Sequence, residues 1–184
     1  MAYYRRNLPH WLPEGMTLFI TWRLYGSLPR ASTAHTNIPE TISADEQFKQ
    51  ADQILDRAES GPLWLKNRQV AACVVSTLRR GSTELHHYVL HAFVVMANHV
   101  HVLLTPRIEA RGFMKSLKGV TARECNRVLR RTGKPFWQDE SFDHWVRSEI
   151  EFDQIREYIE HNPVTAGLVE RPEDWPWSSA ARGS

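Results

Sequence analysis

HYVLHAFVVMANHVHVLLT, residues 87–105, holds two runs of β-branched, aromatic and other apolar residues separated by Ala97-Asn98. Such runs read as strands, about 87–96 and 99–105, and two residues between them predict a tight hairpin. Side chains alternate along a strand, so His99, His101 and Leu103 share one face while Val100, Val102 and Leu104 share the other. Upstream, KNRQVAACVVSTLRR at 66–80 sets Val70, Cys73, Val74, Thr77 and Leu78 at helical spacing. Ser43 with Glu46 forms a capping box opening a helix over 43–59, Gly26 to Thr41 reads as a loop, and MTLFITWRLY at 16–25 as a first strand. Downstream, a long basic helix over roughly 110–131 presents Phe113, Leu117, Val120 and Val128 on one face. The aromatic stretch FWQDESFDHWV follows at 136–146. A last helix over about 149–161 is expected to stop where Pro163 disfavours the α conformation at Asn162. Together these elements predict an α+β fold, one antiparallel sheet with helices packed on one face.

The composition narrows the class. The chain has 184 residues, 23 Lys+Arg against 21 Asp+Glu, a net charge of +2 and 42% hydrophobic residues. That describes one soluble globular domain over 1–184, with Trp/Pro-rich stretches near both ends, large enough to bury a core without a staple. Cys73 and Cys125 are far apart and in no CxxC pattern, which argues against a disulfide scaffold and a thiolate zinc site. No apolar run reaches the roughly 18–20 residues of a membrane span, and MAYYRRNLPHW lacks a signal peptide's apolar core, so the expected location is cytoplasmic and no membrane partner is expected.

The near-neutral balance hides a local excess, because Arg107 to Lys134 holds nine basic residues against Glu109 and Glu124. A field of that sign points to a phosphate-bearing partner, with a solvated helix face as the alternative. Lys115, Lys118, Arg123, Arg127, Arg130 and Arg131 are the candidate nucleic-acid contacts on this segment. Tyr3, Tyr4, Arg5 and Arg6 make an aromatic-basic start suited to clamping a hairpin stem, or a frayed terminus.

The chemistry-bearing residues fall into two groups. The Cα atoms of His99 and His101 stand about 6.5–7 Å apart along one strand face, close enough to ligate a single divalent ion. Without an ion or phosphate, four ring nitrogens would need partners in an apolar setting. In YIEHNP, Tyr158 and Asn162 lie at i and i+4 on one helix face, with Gln154 a turn earlier. A phenol with a neutral amide one turn away can serve as nucleophile and metal ligand, although Asn162 before Pro163 also suits a helix end. A tyrosine of pKa about 10 needs a neighbouring cation to attack at neutral pH. Two histidines, a helical tyrosine and a basic helix are what metal-assisted transesterification on nucleic acid requires. No GxSxG or GxxxxGK[ST] pattern is present.

MANHVHVLLTP at 96–106, LKGVTAREC at 117–125, FWQDESFDHWVR at 136–147 and YIEHNPVTAGLVERPEDWPWSSA at 158–180 resemble the REP-associated tyrosine transposases, with RRNLPHW at 5–11 adding to the likeness. These belong to the single-tyrosine HUH endonucleases and transposases. The resemblance implies a ferredoxin-like α+β fold with the HUH strand central, and cleavage of single-stranded DNA near palindromic REP-like hairpins through a 5′-phosphotyrosine link. It implies Tyr158 as the catalytic nucleophile and His99, His101 and Asn162 as metal ligands. Mg²⁺ or Mn²⁺ is the implied cofactor, with a nucleoid-associated location and a monomer or homodimer. Ala97 stands where the family's turn carries proline.

His144 reads as a structural or phosphate-contacting residue rather than a third ligand, and His161 lies about 100° round the helix from Asn162. Trp137, Trp145, Trp175 and Trp177 suit burial or stacking on unpaired bases. Two other functions compete: a catalytically silent or domesticated binder of DNA or RNA hairpins, and a nuclease that uses metal-activated water in place of Tyr158.

Overall fold

Leu18–Leu24 is buried at every residue and His99–Pro106 at its first six, so the centre of the sheet is covered on both sides, and this decides how the helices are placed. The computed structural model describes residues 15–28, 44–58 and 61–182, so Arg5, Arg6, Tyr3, Tyr4 and the Ser43 cap lie outside it. In chain order the elements are β1 (Leu18–Leu24), α1 (Ala44–Arg57), α2 (Arg68–Thr83), β2 (Tyr88–Val95), β3 (His99–Pro106), α3 (Ala110–Val128), β4 (Trp137–Trp145) and α4 (Glu149–Thr165). The sheet runs β2-β3-β1-β4 with every neighbouring pair antiparallel. That order, with α2 bridging towards β2 and α3 towards β4, is the ferredoxin-like split βαβ arrangement. The expected α+β class and antiparallel sheet are therefore what the chain adopts, and the aromatic stretch at 136–146 supplies the edge strand β4.

The helices are divided between two faces rather than packed on one. Leu18, Ile20, Trp22 and Leu24 of β1 and Val100, Val102 and Leu104 of β3 form a core with α2 and α3. Phe19, Ala92, Val94 and Leu103 point the other way and meet Ile159 of α4. Leaving that second apolar face bare would expose it to water, so α4 covers it.

Two boundaries and one helix face differ from the sequence reading. Asn162 and Pro163 are inside α4, which runs on to Thr165. Proline removes one backbone donor there, but Ala166 N–H donates to Asn162 O at 2.9 Å and Leu168 N–H to Pro163 O at 2.9 Å, and Pro163 itself is buried. Helix α3 stops at Val128, leaving Arg130 and Arg131 in the following turn, where Arg130 has φ +55°. Val128 is 39% exposed, and the buried stripe of α3 is Phe113, Met114, Leu117, Thr121 and Cys125.

Chain segments on either side lock the sheet. Residues 175–179 close the β2 edge: Val95 N–H donates to Trp177 O at 2.8 Å, Ser179 N–H to Phe93 O at 2.9 Å, and Trp175 Nε1 to Val95 O at 3.1 Å. Trp137 is buried, its Nε1 donating to Thr121 Oγ1 at 2.8 Å, so it is core and not a stacking platform. No helix among the described residues is long and apolar enough to cross a membrane.

Lys118 fastens α3 to β4, its Nζ donating to the carbonyls of Gln138 at 2.7 Å and Asp139 at 3.0 Å. Burial pulls its ammonium group down to about 8 against the opposing pull of Asp139. Lys118→Ala is expected to destabilise the protein by about 1–3 kcal/mol, the range for removing a charged hydrogen-bond donor, whereas Lys115→Ala on the exposed side leaves stability unchanged. Urea unfolding of the two variants checks this, and equal stabilities would remove the anchoring role from Lys118.

Candidate active site on the imidazole face

The site is built on β3, the inner strand between β2 and β1. His99 and His101 are both 0% exposed, and their Nε2 atoms face each other at 3.0 Å. Each ring is held at its other nitrogen. Asn98 Nδ2 donates to Leu55 O at 3.0 Å, which turns the Asn98 carboxamide oxygen towards His99 Nδ1 at 2.7 Å. That oxygen can only accept, so His99 carries its proton on Nδ1 and presents a bare lone pair at Nε2. His101 Nδ1 lies 2.7 Å from Thr21 Oγ1, the residue directly opposite it on β1. Burial, with repulsion from His101, holds the His99 imidazole down at about 3, so it is neutral at neutral pH.

Helix α1 closes this pair from above. Asp52, 2% exposed, directs Oδ1 to 3.3 Å from His101 Nε2 and 3.7 Å from His99 Nε2. One turn on, Asp56 Oδ1 lies 3.5 Å from His99 Nε2. Burial works to raise the Asp52 carboxyl, yet the facing imidazoles, His101 foremost, hold it below its ordinary range. Asp56 is pushed up to about 7 by burial and then by repulsion from Asp52. Asp52, His99 and His101 form a group able to hold a metal ion, with one ligand atom from each lying within 4.8 Å of the others. The donor set fits: two buried imidazoles and an ionised carboxylate suit a divalent cation, and the buried Oδ1 atoms of Asp52 and Asp56 have no hydrogen-bond partner.

Helix α4 brings in the phenol. Ser148 caps it, accepting from Glu151 N–H at 3.1 Å, while Glu151 reaches back to Arg147 N–H at 2.5 Å and to His144 Nε2 at 2.8 Å. His144 thus ties α4 to β4, as a structural residue would. The Tyr158 hydroxyl donates to Asp52 Oδ2. Its ring stands edge-on to His101 and Phe19, at 5.6 and 6.2 Å. Tyr158 is 39% exposed, so it is the site's opening to solvent. Asn162, a turn further, is 2% exposed and its Oδ1 lacks a partner. His161 is exposed and bonds back to Glu157 O at 3.1 Å, away from this cluster.

Of the residues singled out from sequence, His99, His101 and Tyr158 converge, and Asn162 is buried on the same helix. Asp52 and Asp56 were missed. Their only signal is in ADQILDR at 51–57, where two acids flank an apolar Leu55 at i and i+4. The basic residues lie elsewhere: α3 packs on the opposite face of the sheet. Lys115, Arg123, Arg127 and Arg130 are exposed, Arg127 pairing with Glu124. Lys118 is engaged by β4, and the Arg131 guanidinium lies 3.5 Å over the Trp64 ring.

With this geometry in hand, the likenesses to known proteins become informative. The IS200-like transposase family matches residues 65–162, more than half of the chain, covering both histidines, the tyrosine and Asn162. A Haemophilus influenzae protein named as a candidate REP-associated tyrosine transposase is 39% identical over 46 residues, a match spanning 25% of this chain and 26% of that one. A solved REP-associated tyrosine transposase bound to a REP hairpin superposes with a TM-score of 0.56 at 19% identity, over 94% of this chain and 81% of that one. A Deinococcus radiodurans crystal structure named as a candidate transposase is 20% identical, with a TM-score of 0.44, over 85% of this chain and 96% of that one.

Because Asn98 sets the tautomer of His99, Asn98→Ala is expected to weaken Mn²⁺ binding by about 10–100-fold, the usual effect of losing a group that orients a ligand. Titration calorimetry of the folded variant measures it. An unchanged affinity would mean that Asn98 does not orient the ring.

Proposed function

The chain belongs to the IS200-like transposase family, and from that premise we propose that it is a REP-associated tyrosine transposase that cleaves and rejoins single-stranded DNA near palindromic hairpins. The observation that carries this reading is the contact of Tyr158 with Asp52 beside two buried imidazoles. A nucleophile, a proton acceptor and a cation-binding group meet at one point.

His99, His101 and Asp52 would hold the divalent ion, with Asn162 the candidate fourth ligand through its unpartnered oxygen. Mn²⁺ or Mg²⁺ suits a site that leaves room for phosphate and water oxygens, and it would supply polarisation of the scissile phosphate. Asp52, ionised at neutral pH, takes the proton of the Tyr158 hydroxyl through Oδ2. The Tyr158 oxygen then forms a bond to phosphorus as the bond to the 3′ oxygen breaks, leaving a 5′-phosphotyrosine and a free 3′-OH. Thr21 and Asn98 keep both rings aligned throughout.

The charge layout favours a folded substrate. The exposed Lys115, Arg123, Arg127 and Arg130 are on the α3 side of the sheet and the imidazoles on the α4 side. A nucleic acid that engages both has to pass round a sheet edge, and among the described residues the β2 edge is occupied by 175–179. The β4 edge is then the route, and a hairpin with a single-stranded flank can place its stem on the basic side and its flank at Tyr158. Arg5 and Arg6 are the proposed further stem contacts.

Incubating the protein and Mn²⁺ or Mg²⁺ with end-labelled single-stranded hairpin DNA, followed by a denaturing gel, tests the reading. A protein-linked band is expected, lost on chelation and in Tyr158→Phe, and reduced at least 100-fold in His99→Ala and Asp52→Asn. Cleavage without a linked band would assign the chemistry to water, and salt-sensitive binding without cleavage would make the protein a silent hairpin binder.

A further inference from the structure

Beside the imidazole site, strands β1 and β4 fall out of step. Trp22 pairs with Ser141 and Leu24 with Trp137, so residues 138–140 of β4 all stand opposite the single Arg23. Such a bulge bends the edge strand and re-aims its side chains. It is pinned in place, because Lys118 Nζ holds the carbonyls of Gln138 and Asp139. Between the bulge and α1 lies a pocket that, with its open mouth, encloses about 350 Å³, at the lower end of the range for small-ligand clefts.

The walls of this pocket are chemically divided. Thr21 and Arg23 are the β1 residues paired with His101 and His99, so they lie next to the imidazoles, on the strand between them and the β4 edge. Arg23 is 9% exposed, a buried cation whose guanidinium can only donate. Glu140, at the bulge, carries a carboxylate that can only accept. Leu28, Leu55 and Phe142 supply the apolar surface, the Phe142 ring standing edge-on to Phe19 at 6.2 Å. Asp52, whose Oδ2 accepts from the Tyr158 hydroxyl, is in the same wall, so pocket and nucleophile are separated by one carboxylate.

We propose, building on the reading of the chain as a single-stranded DNA transposase, that this pocket takes one unpaired base next to the scissile phosphate and selects guanine. A strand that reaches Tyr158 over the β4 edge passes the bulge on its way. A base turned out of the strand lays its face on the apolar wall and its polar edge against fixed donors and acceptors. Guanine offers two adjacent acceptors, O6 and N7, which is the commonest specific pairing of arginine, and an amino group for a carboxylate. Arg23 and Glu140 are thus specificity-determining residues, and the bulge is what sets them on either side of one base.

Tyr158→Phe protein, which binds without cutting, is mixed with a single-stranded hairpin DNA whose flanks are randomised, and the bound fraction is sequenced. Guanine is expected to be enriched about 10-fold or more at one flank position, and removal of the base there to weaken binding by about 10–100-fold. The preference is expected to disappear on adding Arg23→Lys, which keeps the charge and loses the planar fork, and on adding Ala51→Phe, which fills the pocket from α1. No enriched position, enrichment of another base at the position these variants control, or a guanine preference that survives both would overturn the proposal. Should Arg23→Lys lose its fold by circular dichroism, Ala51→Phe on the opposite wall decides. The wild-type protein with Mn²⁺ is run on the same pool. A protein-linked band without a variant-sensitive preference removes the pocket and leaves the transposase, whereas the preference without a linked band removes the transposase and leaves the pocket; no binding of any member removes both.

Discussion

Two imidazoles buried on one face of a sheet are the constraint on which the rest depends. Water cannot reach His99 or His101, so each ring must be satisfied from within. Asn98 and Thr21 satisfy the Nδ1 atoms and thereby turn both Nε2 atoms towards one point, 3.0 Å apart. At that distance one proton can serve the two lone pairs, or one cation can replace it. The register of β1 against β3 is therefore part of the chemistry: a slip by one residue would take Thr21 from opposite His101 and present a different face.

From this pair the neighbouring elements acquire their roles. Leu55 O of α1 fixes the Asn98 amide, so the helix that provides Asp52 also sets the tautomer of the ring that Asp52 approaches. Asp52 then spans imidazoles and phenol with its two oxygens, Oδ1 towards the rings and Oδ2 towards Tyr158. The phenol is kept there by the Ser148 cap, the His144–Glu151 tie to β4 and the burial of Ile159. Three segments distant in sequence thus meet through contacts that each depend on another.

The sequence carried the periodic part of this arrangement openly. The hairpin, the shared face of His99 and His101 and the i, i+4 relation of Tyr158 to Asn162 follow from strand and helix geometry alone, and the structure repeats them. Asp52 was not legible because nothing in ADQILDR says which side of a short helix meets the sheet, and an acid beside Leu55 reads as solvated until the helix is docked. Pro163 misled because the local preference of the residue before proline was outweighed by burial of the ring and by bonds closing the turn after it.

The two faces also differ in what holds them. The α2–α3 side is a large apolar core built on Leu18, Ile20, Trp22, Val100, Val102 and Leu104, and none of its members belongs to the proposed site. The imidazole side is a smaller cluster around Phe19, Leu103 and Ile159, supplemented by the helix cap and by Trp175. Substitutions among His99, Asp52 and Tyr158 therefore leave the main core untouched. Tyr158→Phe removes a single hydroxyl from a partly exposed ring and keeps its edge contacts with His101 and Phe19. Asp52→Asn has the opposite character, because it takes a negative charge from beside two buried rings, and the neighbouring Asp56 is pushed up first by burial and only then by Asp52. Burial persists in that variant, so the carboxylate one turn away does not restore what position 52 supplies, and the Tyr158 hydroxyl loses the carboxylate to which it donates.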